Sequence, residues 1–187
     1  NNVELDIEAI EPSENMAKIC RDKGIVVKEA MLENSVDETE KYDLLTTFEL
    51  FEHLHDPLLF LNDCYNLLNP GGYIYLTTLN GHGFDIQVLW EKSNSIFPPH
   101  HLNFFNPISM DKIMRLVGFN NIEITTPGEL DIDIVKNVYE KGNVDLPRFL
   151  SSLYNYSSGD VLNNFQLFIQ NNNLSSHMRV IAQKPLI

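Results

Sequence analysis

The chain has 187 residues, of which 43% are hydrophobic and 21% charged, with a formal net charge of −13. That length suits one domain able to bury its own core. The acidic balance excludes sequence-independent binding to nucleic acid, which needs a basic surface, and no apolar run nears the roughly 18 residues that span a bilayer. Cys20 and Cys64 both fall in helix-patterned segments with apolar neighbours. They read as free buried thiols of a cytoplasmic protein.

In chain order, Leu5–Ile10 alternates apolar and acidic side chains and predicts a short strand ending at Glu11-Pro12. Ser13 is placed to cap a helix whose stripe is Met16, Ala17, Ile19 and Cys20, and Gly24 stops it. Ile25–Val27 predicts a second strand leading into Glu29-Ala30-Met31-Leu32, and Asn34–Lys41 reads as a charged surface loop. Tyr42–Thr47 is a third strand. Asp56-Pro57 opens a helix over about 58–68, with Leu58, Leu61, Cys64, Tyr65 and Leu68 on one face. Pro70-Gly71-Gly72 ends that helix, and Tyr73–Thr78 is the next strand. Residues 79–107 form a long irregular segment, which in a compact domain is a lid or binding loop or hides a short helix. A helix at 107–117, closed by Gly118, and a strand at 119–125 follow. Residues 131–140, 147–154 and 159–170 look helical, and His177–Ala182 is a final strand. Alternating elements predict an α/β fold with a parallel sheet. The last strand follows no simple single-helix crossover, so it is free to run antiparallel.

In open α/β sheets ligands gather at the carboxyl ends of strands. Two clusters fall there. Glu11 ends the first strand, where a carboxylate either accepts hydrogen bonds from a ribose diol or serves the next helix N-terminus through its dipole. Glu49, Glu52, His53, His55 and Asp56 follow the third strand. His53 there is a candidate general base; the competing reading is that Glu49 and Glu52 orient backbone or ligand hydroxyls beside polar loop histidines. No pair shows the i,i+4 histidine spacing of helical zinc motifs, so no metal is expected. Pro98-Pro99-His100-His101-Leu102-Asn103-Phe104-Phe105 either walls an acceptor pocket with its imidazoles or plugs the core with its phenyl rings. In Asn80-Gly81-His82-Gly83 the glycines permit close approach of a ligand.

The run Phe48-Glu49-Leu50-Phe51-Glu52-His53-Leu54-His55-Asp56-Pro57, then Leu67-Leu68-Asn69-Pro70-Gly71-Gly72 and Thr77-Thr78-Leu79-Asn80, resembles class I S-adenosylmethionine-dependent methyltransferases. The similar branch is the one holding ubiquinone-biosynthesis O-methyltransferases and sugar-tailoring enzymes. Ile10-Glu11-Pro12-Ser13 resembles that family's second-strand end, and Pro99–Phe105 with Gly118-Phe119 its lid, helix and sixth strand. The resemblance covers roughly residues 5–126 and the final strand. It implies a Rossmann-like sheet, mostly parallel with an antiparallel last strand, and a helical insertion at 129–175. The family's first strand and glycine-rich loop would precede Leu5 and are missing. The expectation is therefore a single, N-terminally incomplete methyltransferase-like domain over 1–187, with a gap in the sheet beside Tyr42–Thr47.

The resemblance also implies roles. Glu11 and Pro12 would meet the cofactor ribose, Ala30, Met31 and Leu32 its adenine, and Thr47 and Phe48 its remainder at the third strand's end. Glu52 and His53 would act at the acceptor, with His82, Trp90, His100 and His101 around it. The implied function is methyl transfer from S-adenosylmethionine to a small polar acceptor, an oxygen of a sugar or metabolite, with no nucleic-acid or membrane partner. The alternative is a catalytically inactive methyltransferase-like module that binds nucleotide or a partner. A third reading, an NAD-dependent oxidoreductase, leaves Phe48–His53 without a role.

Overall fold

A computed structural model describes residues 5–35 and 41–187. The chain runs β1 (Glu8–Ile10), α1 (Glu14–Asp22), β2 (Val26–Lys28), β3 (Tyr42–Phe48), α2 (Pro57–Leu67), β4 (Leu68–Leu79), α3 (Phe84–Leu89), α4 (Pro107–Val117), β5 (Asn120–Thr125), α5 (Asp131–Glu140), α6 (Arg148–Tyr156), α7 (Gly159–Asn171) and β6 (His177–Gln183). Short 3-10 turns lie at Leu32–Asn34, Phe51–His53 and Trp90–Lys92.

Four strands form one sheet in the order β3-β4-β6-β5. β3 and β4 are parallel, joined by the α2 crossover, while β6 runs antiparallel to both β4 and β5. The α/β class and the antiparallel last strand expected from the pattern are both present. β1 and β2 form a separate parallel pair. Among the described residues no ladder joins β1 to β3; a side-chain bond from the Tyr42 hydroxyl to Glu8 Oε2, 2.8 Å, bridges them. The expected interruption of the sheet lies here.

Local chemistry sets the element ends. Asp56 accepts the Leu59 N–H at 2.9 Å and Pro57 holds the first helical position, so α2 begins there. α4 starts with a capping box between Asn106 and Ser109 and stops at Gly118 in the left-handed region. Two local expectations change. Ser13 precedes α1, but its side chain makes no cap; the Glu11 carboxylate takes the Ser13 N–H instead, at 2.8 Å. And Pro70-Gly71-Gly72 does not terminate α2, which closes at Leu67; these residues are already strand. A Cβ on Gly72 would lie 3.1 Å from the Tyr42 carbonyl oxygen, so glycine lets β4 pass this close to β3 where the register shifts.

The main core lies between the four-stranded sheet and helices α2 and α4. Leu61, Leu68, Ile74, Leu76, Met110, Met114, Val180 and Ala182 are fully enclosed. β4 and β6 bury alternate residues on this face, the period of two that a half-covered strand requires. A second cluster, with Leu89, Ile132, Val135, Leu150, Tyr154 and Ile169, binds α3 to α5, α6 and α7. Cys64 is buried, whereas Cys20 is only half-buried, because α1 encloses little besides Ala17. Among the described residues no helix is long and apolar enough to cross a membrane.

Candidate active site

The carboxyl ends of β3 and β4 and the start of β6 converge at one edge of the sheet. Antiparallel pairing places His177, the first residue of β6, opposite Leu79 at the end of β4. β3 carries Phe48 opposite Thr77 and then turns sharply at Glu49, whose φ of 49° is left-handed. That turn, pinned by the Glu49 N–H to the Thr77 carbonyl at 3.0 Å, swings the next residues over the strand ends.

Glu49 has side-chain partners in Thr77, His177 and the Glu52 carboxyl. Its Oε1 accepts the Thr77 hydroxyl at 2.7 Å, and its Oε2 lies 3.4 Å from His177 Nδ1. The His177 bond, with the Thr77 hydroxyl assisting, keeps the Glu49 carboxyl below its ordinary range despite partial burial. The same bond raises His177 above the usual imidazole value. The two form an ion pair on one flank of the site.

Glu52 sits deeper, only 2% exposed, and accepts the Thr78 hydroxyl at 2.9 Å. His53 follows it on the 3-10 turn and points outward. Its Nδ1 lies 2.7 Å from the His100 carbonyl oxygen; a carbonyl only accepts, so Nδ1 carries the hydrogen and Nε2 presents a lone pair in the neutral ring. His101 is fixed the same way, Nδ1 donating to the Ser95 carbonyl at 2.7 Å. The two imidazoles face each other with ring centroids 4.8 Å apart, and ligand atoms of Glu52, His53 and His101 all lie within 4.8 Å of one another.

Backbone bonds lace the two segments together. The Glu52 carbonyl accepts the Leu102 N–H at 2.7 Å and the Asn103 N–H at 3.1 Å, and the Asn103 amide donates to the carbonyls of Leu54 and Phe51. Phe105 packs edge-on against Phe51 in the core, while Phe104 is 39% exposed. The expected alternatives for 98–105 thus divide by residue: Phe105 plugs, His101 joins the site, and His100 stacks on exposed Phe97 while lending its carbonyl to His53.

Other expected residues lie apart from this cluster. His82 pairs its Nε2 with the Asn106 amide at 3.2 Å. Trp90 is 65% exposed at the end of α3. Glu11 is half-buried at the end of β1, its backbone N–H on the Lys28 carbonyl, with Pro12 beside it. Ala30 and Leu32 are half-buried and Met31 is 49% exposed after β2; Thr47 and Phe48 end β3, with Phe48 61% exposed.

Sequence reasoning passed over His177, Thr77, Thr78, Asp85 and Asp131. The signal for His177 was available: if the last strand is antiparallel, its first residue lies at the carboxyl ends of the parallel strands. The aspartates form a buried knot behind the site. Asp131 Oδ1 accepts the Ser176 N–H and hydroxyl, each at 2.7 Å, and Oδ2 accepts the Ser175 hydroxyl at 2.7 Å and the Gln166 amide at 2.8 Å. Asp85 Oδ1 contacts the same Ser176 hydroxyl, whose one hydrogen cannot serve both. Burial, and then the Asp131 charge, raise Asp85, which favours its protonated form. Gly83 abuts Ser176 so closely that a Cβ would stand 2.3 Å from its Cα. The knot therefore ties α3, α5 and the start of β6 together.

A profile of the methyltransferase domain family matches residues 2–124. Among solved structures the fold is similar to a SAM-dependent methyltransferase from Archaeoglobus fulgidus (TM-score 0.60, 20% identity, 94% of this chain and 74% of that one). It is also similar to Haemonchus contortus phosphoethanolamine N-methyltransferase 2 in complex with S-adenosyl-L-methionine (TM-score 0.61, 17% identity, 96% and 43%). These likenesses define the class of fold, the Rossmann-like sheet of class I methyltransferases. The ubiquinone biosynthesis O-methyltransferase of Vibrio parahaemolyticus is 29% identical over 128 residues, 64% of this chain and 53% of that protein. The Salmonella typhimurium enzyme of the same name is 35% identical over 57 residues. The chain belongs to the methyltransferase domain family, and it spans about half the length of the Vibrio relative.

Proposed function

We propose that this protein transfers a methyl group from S-adenosylmethionine to an oxygen of a small polar acceptor, a sugar or another metabolite, at the carboxyl edge formed by β3, β4 and β6. The observation that carries this reading is the Glu52–His53–His101 cluster laced to the ends of the strands, in a chain of this family. Residues suited to the cofactor follow the carboxyl ends of β1, β2 and β3. Glu11 and Pro12 close β1, where a carboxylate suits a ribose diol. Met31, between Ala30 and Leu32, offers an apolar face to adenine, and Thr47 with exposed Phe48 flanks the remainder.

The bound cofactor supplies an electrophilic methyl on a sulfonium. What the chain supplies is alignment, exclusion of water and, for a hydroxyl acceptor, removal of a proton. His53 is the proton acceptor in this reading. Its Nδ1–H is held by the His100 carbonyl, so in the neutral ring Nε2 carries the lone pair that would take the proton. Buried Glu52 fixes the acceptor's polar groups, and His82, Trp90, His100 and His101 belong to the surrounding rim. Helices α5–α7, within 129–175, act as an insertion that covers the acceptor side.

Calorimetric titration with S-adenosylmethionine tests the reading directly: saturable binding is expected, and no heat at millimolar cofactor would sink it. With an acceptor found by following demethylated cofactor, His53→Ala should lower turnover by about 10²–10⁴-fold with cofactor affinity little changed. Wild-type turnover in that variant would remove His53 from the chemistry.

A further inference from the structure

We propose that the outer faces of α6 and α7 form a docking surface for a second copy of this chain, paired about a two-fold axis with the two α7 helices antiparallel. Both helices turn one side to the core: Leu150 and Tyr154 of α6 and Ile169 of α7 cluster with Leu89, Ile132 and Val135. Their other sides turn apolar groups to solvent. Phe149 is 69% exposed, Tyr156 87% and Phe168 53%. On α7, Val161, Asn164, Leu167 and Phe168 are all exposed and follow one another at the three- and four-residue spacing of a single helix face.

Charge selects the occupant. Between Phe149 and Ser176 the sole charged side chain is Asp160. Over 141–176, Lys141 and Arg148 balance Asp145 and Asp160, so the net −13 lies entirely in the rest of the chain. Copies that meet through other surfaces bring like charge against like, and copies that meet here do not. A face with Phe and Tyr and few charges has the composition of an interface core, and large exposed apolar patches mark interaction sites. A basic partner would find Asp160 as its one carboxylate on α7, and an anionic membrane surface would find no Lys or Arg there. The area is also sufficient. A fully exposed aromatic side chain presents about 200 Å², so Phe149, Tyr156 and Phe168 offer roughly 400 Å² between them. Val161, Asn164 and Leu167 bring the face toward the roughly 800 Å² per partner of a stable complex.

The order of residues along α7 sets the pairing. A two-fold axis at Asn164 puts that side chain opposite its own copy, and an amide, holding both donor and acceptor, bonds to another amide. The same axis sets Val161 of one copy against Leu167 and Phe168 of the other, since each lies three or four residues from Asn164. It keeps the two Asp160 carboxylates about 12 Å apart along the helix, at roughly 1.5 Å of rise per residue. That exceeds the screening length of about 8 Å at physiological salt. A parallel pair would hold them side by side. The surface is independent of the methyl-transfer reading.

The test is sedimentation velocity of the full chain over a range of concentrations, at about 0.15 M and about 0.5 M salt. A dimer is expected, half-associated below about 100 μM. It should tighten at the higher salt, because screening weakens the −13 repulsion and no ion pair crosses the face. Leu167→Glu and Val161→Lys should each weaken it by about 10-fold or more, since each buries an unpaired charge. An equimolar mixture of the two should associate more tightly than either alone, because the new carboxylate of one copy then meets the new ammonium of the other. Leu116→Glu, on an exposed leucine of α4, should change nothing; circular dichroism confirms that each variant is folded. A monomer at every concentration and both salts overturns the proposal. So does a dimer that loosens at higher salt, or one that Leu116→Glu weakens as much as Leu167→Glu. Co-sedimentation of a monomer with phosphatidylcholine vesicles, abolished by Leu167→Glu, would give the face to lipid and overturn the second copy.

Discussion

The two strand groups of this protein are finished to different degrees. In the β3-β4-β6-β5 sheet, Leu68, Ile74, Leu76, Val180 and Ala182 have no exposure, because α2 and α4 cover one face and ladders run on both sides of β4 and β6. In the β1–β2 pair with α1, only Ala17 is fully enclosed, while Ile7, Met16, Ile19 and Val26 are between 47% and 60% exposed. Their hydrophobic spacing is equally good. The difference teaches that periodicity prepares an apolar face, but burial, and so stability, comes from what lies against it. The proposed function draws on both groups: the cluster of Glu52, His53 and His101 stands on the finished sheet, and Glu11, proposed for the cofactor, on the other.

The strongest way to probe that contrast is to cut the core. Leu76→Ala, at the centre of β4, should cost about 2–5 kcal/mol. Ile19→Ala on α1 should stay within about 0.5 kcal/mol, as surface changes do. Urea unfolding of the two variants decides it, and equal losses would mean that the α1 face is covered in solution. Amide exchange should agree, with β1 and β2 opening at lower free energy than β4 and β6.

The cysteines sharpen the same comparison chemically. Burial pushes the Cys64 thiol up to about 12. At pH 8 its thiolate fraction is then about one in ten thousand, and the thiolate is the reactive form. A thiol reagent should label half-buried Cys20 promptly and Cys64 only on unfolding. Matched labelling rates would show that the α2 face of the core opens readily.

The smallest effect concerns the Asp85–Asp131 knot. The groups facing Asp85 are Asp131, Ser93, Ser176 and His177. Its folded-state value is raised, so folding favours the protonated acid. That contribution is fully present below the ordinary carboxylate value and is lost as pH rises through the raised one. Asp85→Asn keeps a donor toward Ser176 and removes the titration. The variant should be as stable as the parent below the ordinary carboxylate range and equal or more stable at pH 7. Thermal melts across that window check it; a variant less stable only at neutral pH would place the proton elsewhere.

Much of this was readable beforehand, for reasons that particular residues show. Asp56-Pro57 and Gly118 are local signals, and α2 and α4 begin and end at them. Glu52 and His53 were singled out because ligands gather at carboxyl strand ends in open α/β sheets, a position that topology alone marks. Pro70-Gly71-Gly72 misled, since a helix stop and a strand bulge use the same residues. His177 was missed because its role depends on pairing with β4, a contact between distant segments. Asp85 and Asp131 carry no motif and matter only because Ser176 lies between them.

By itself, the sequence determined the order of helices and strands, their caps and the resemblance to a methyltransferase, because each rests on residues near one another in the chain. The tertiary structure decided that His101 lies against His53 beside Glu52, that Glu49 pairs with His177, and that among the described residues no ladder joins the two sheets. Those are through-space distances, set by how the lid segment folds back on the Glu52 turn and by the register of β6 on β4.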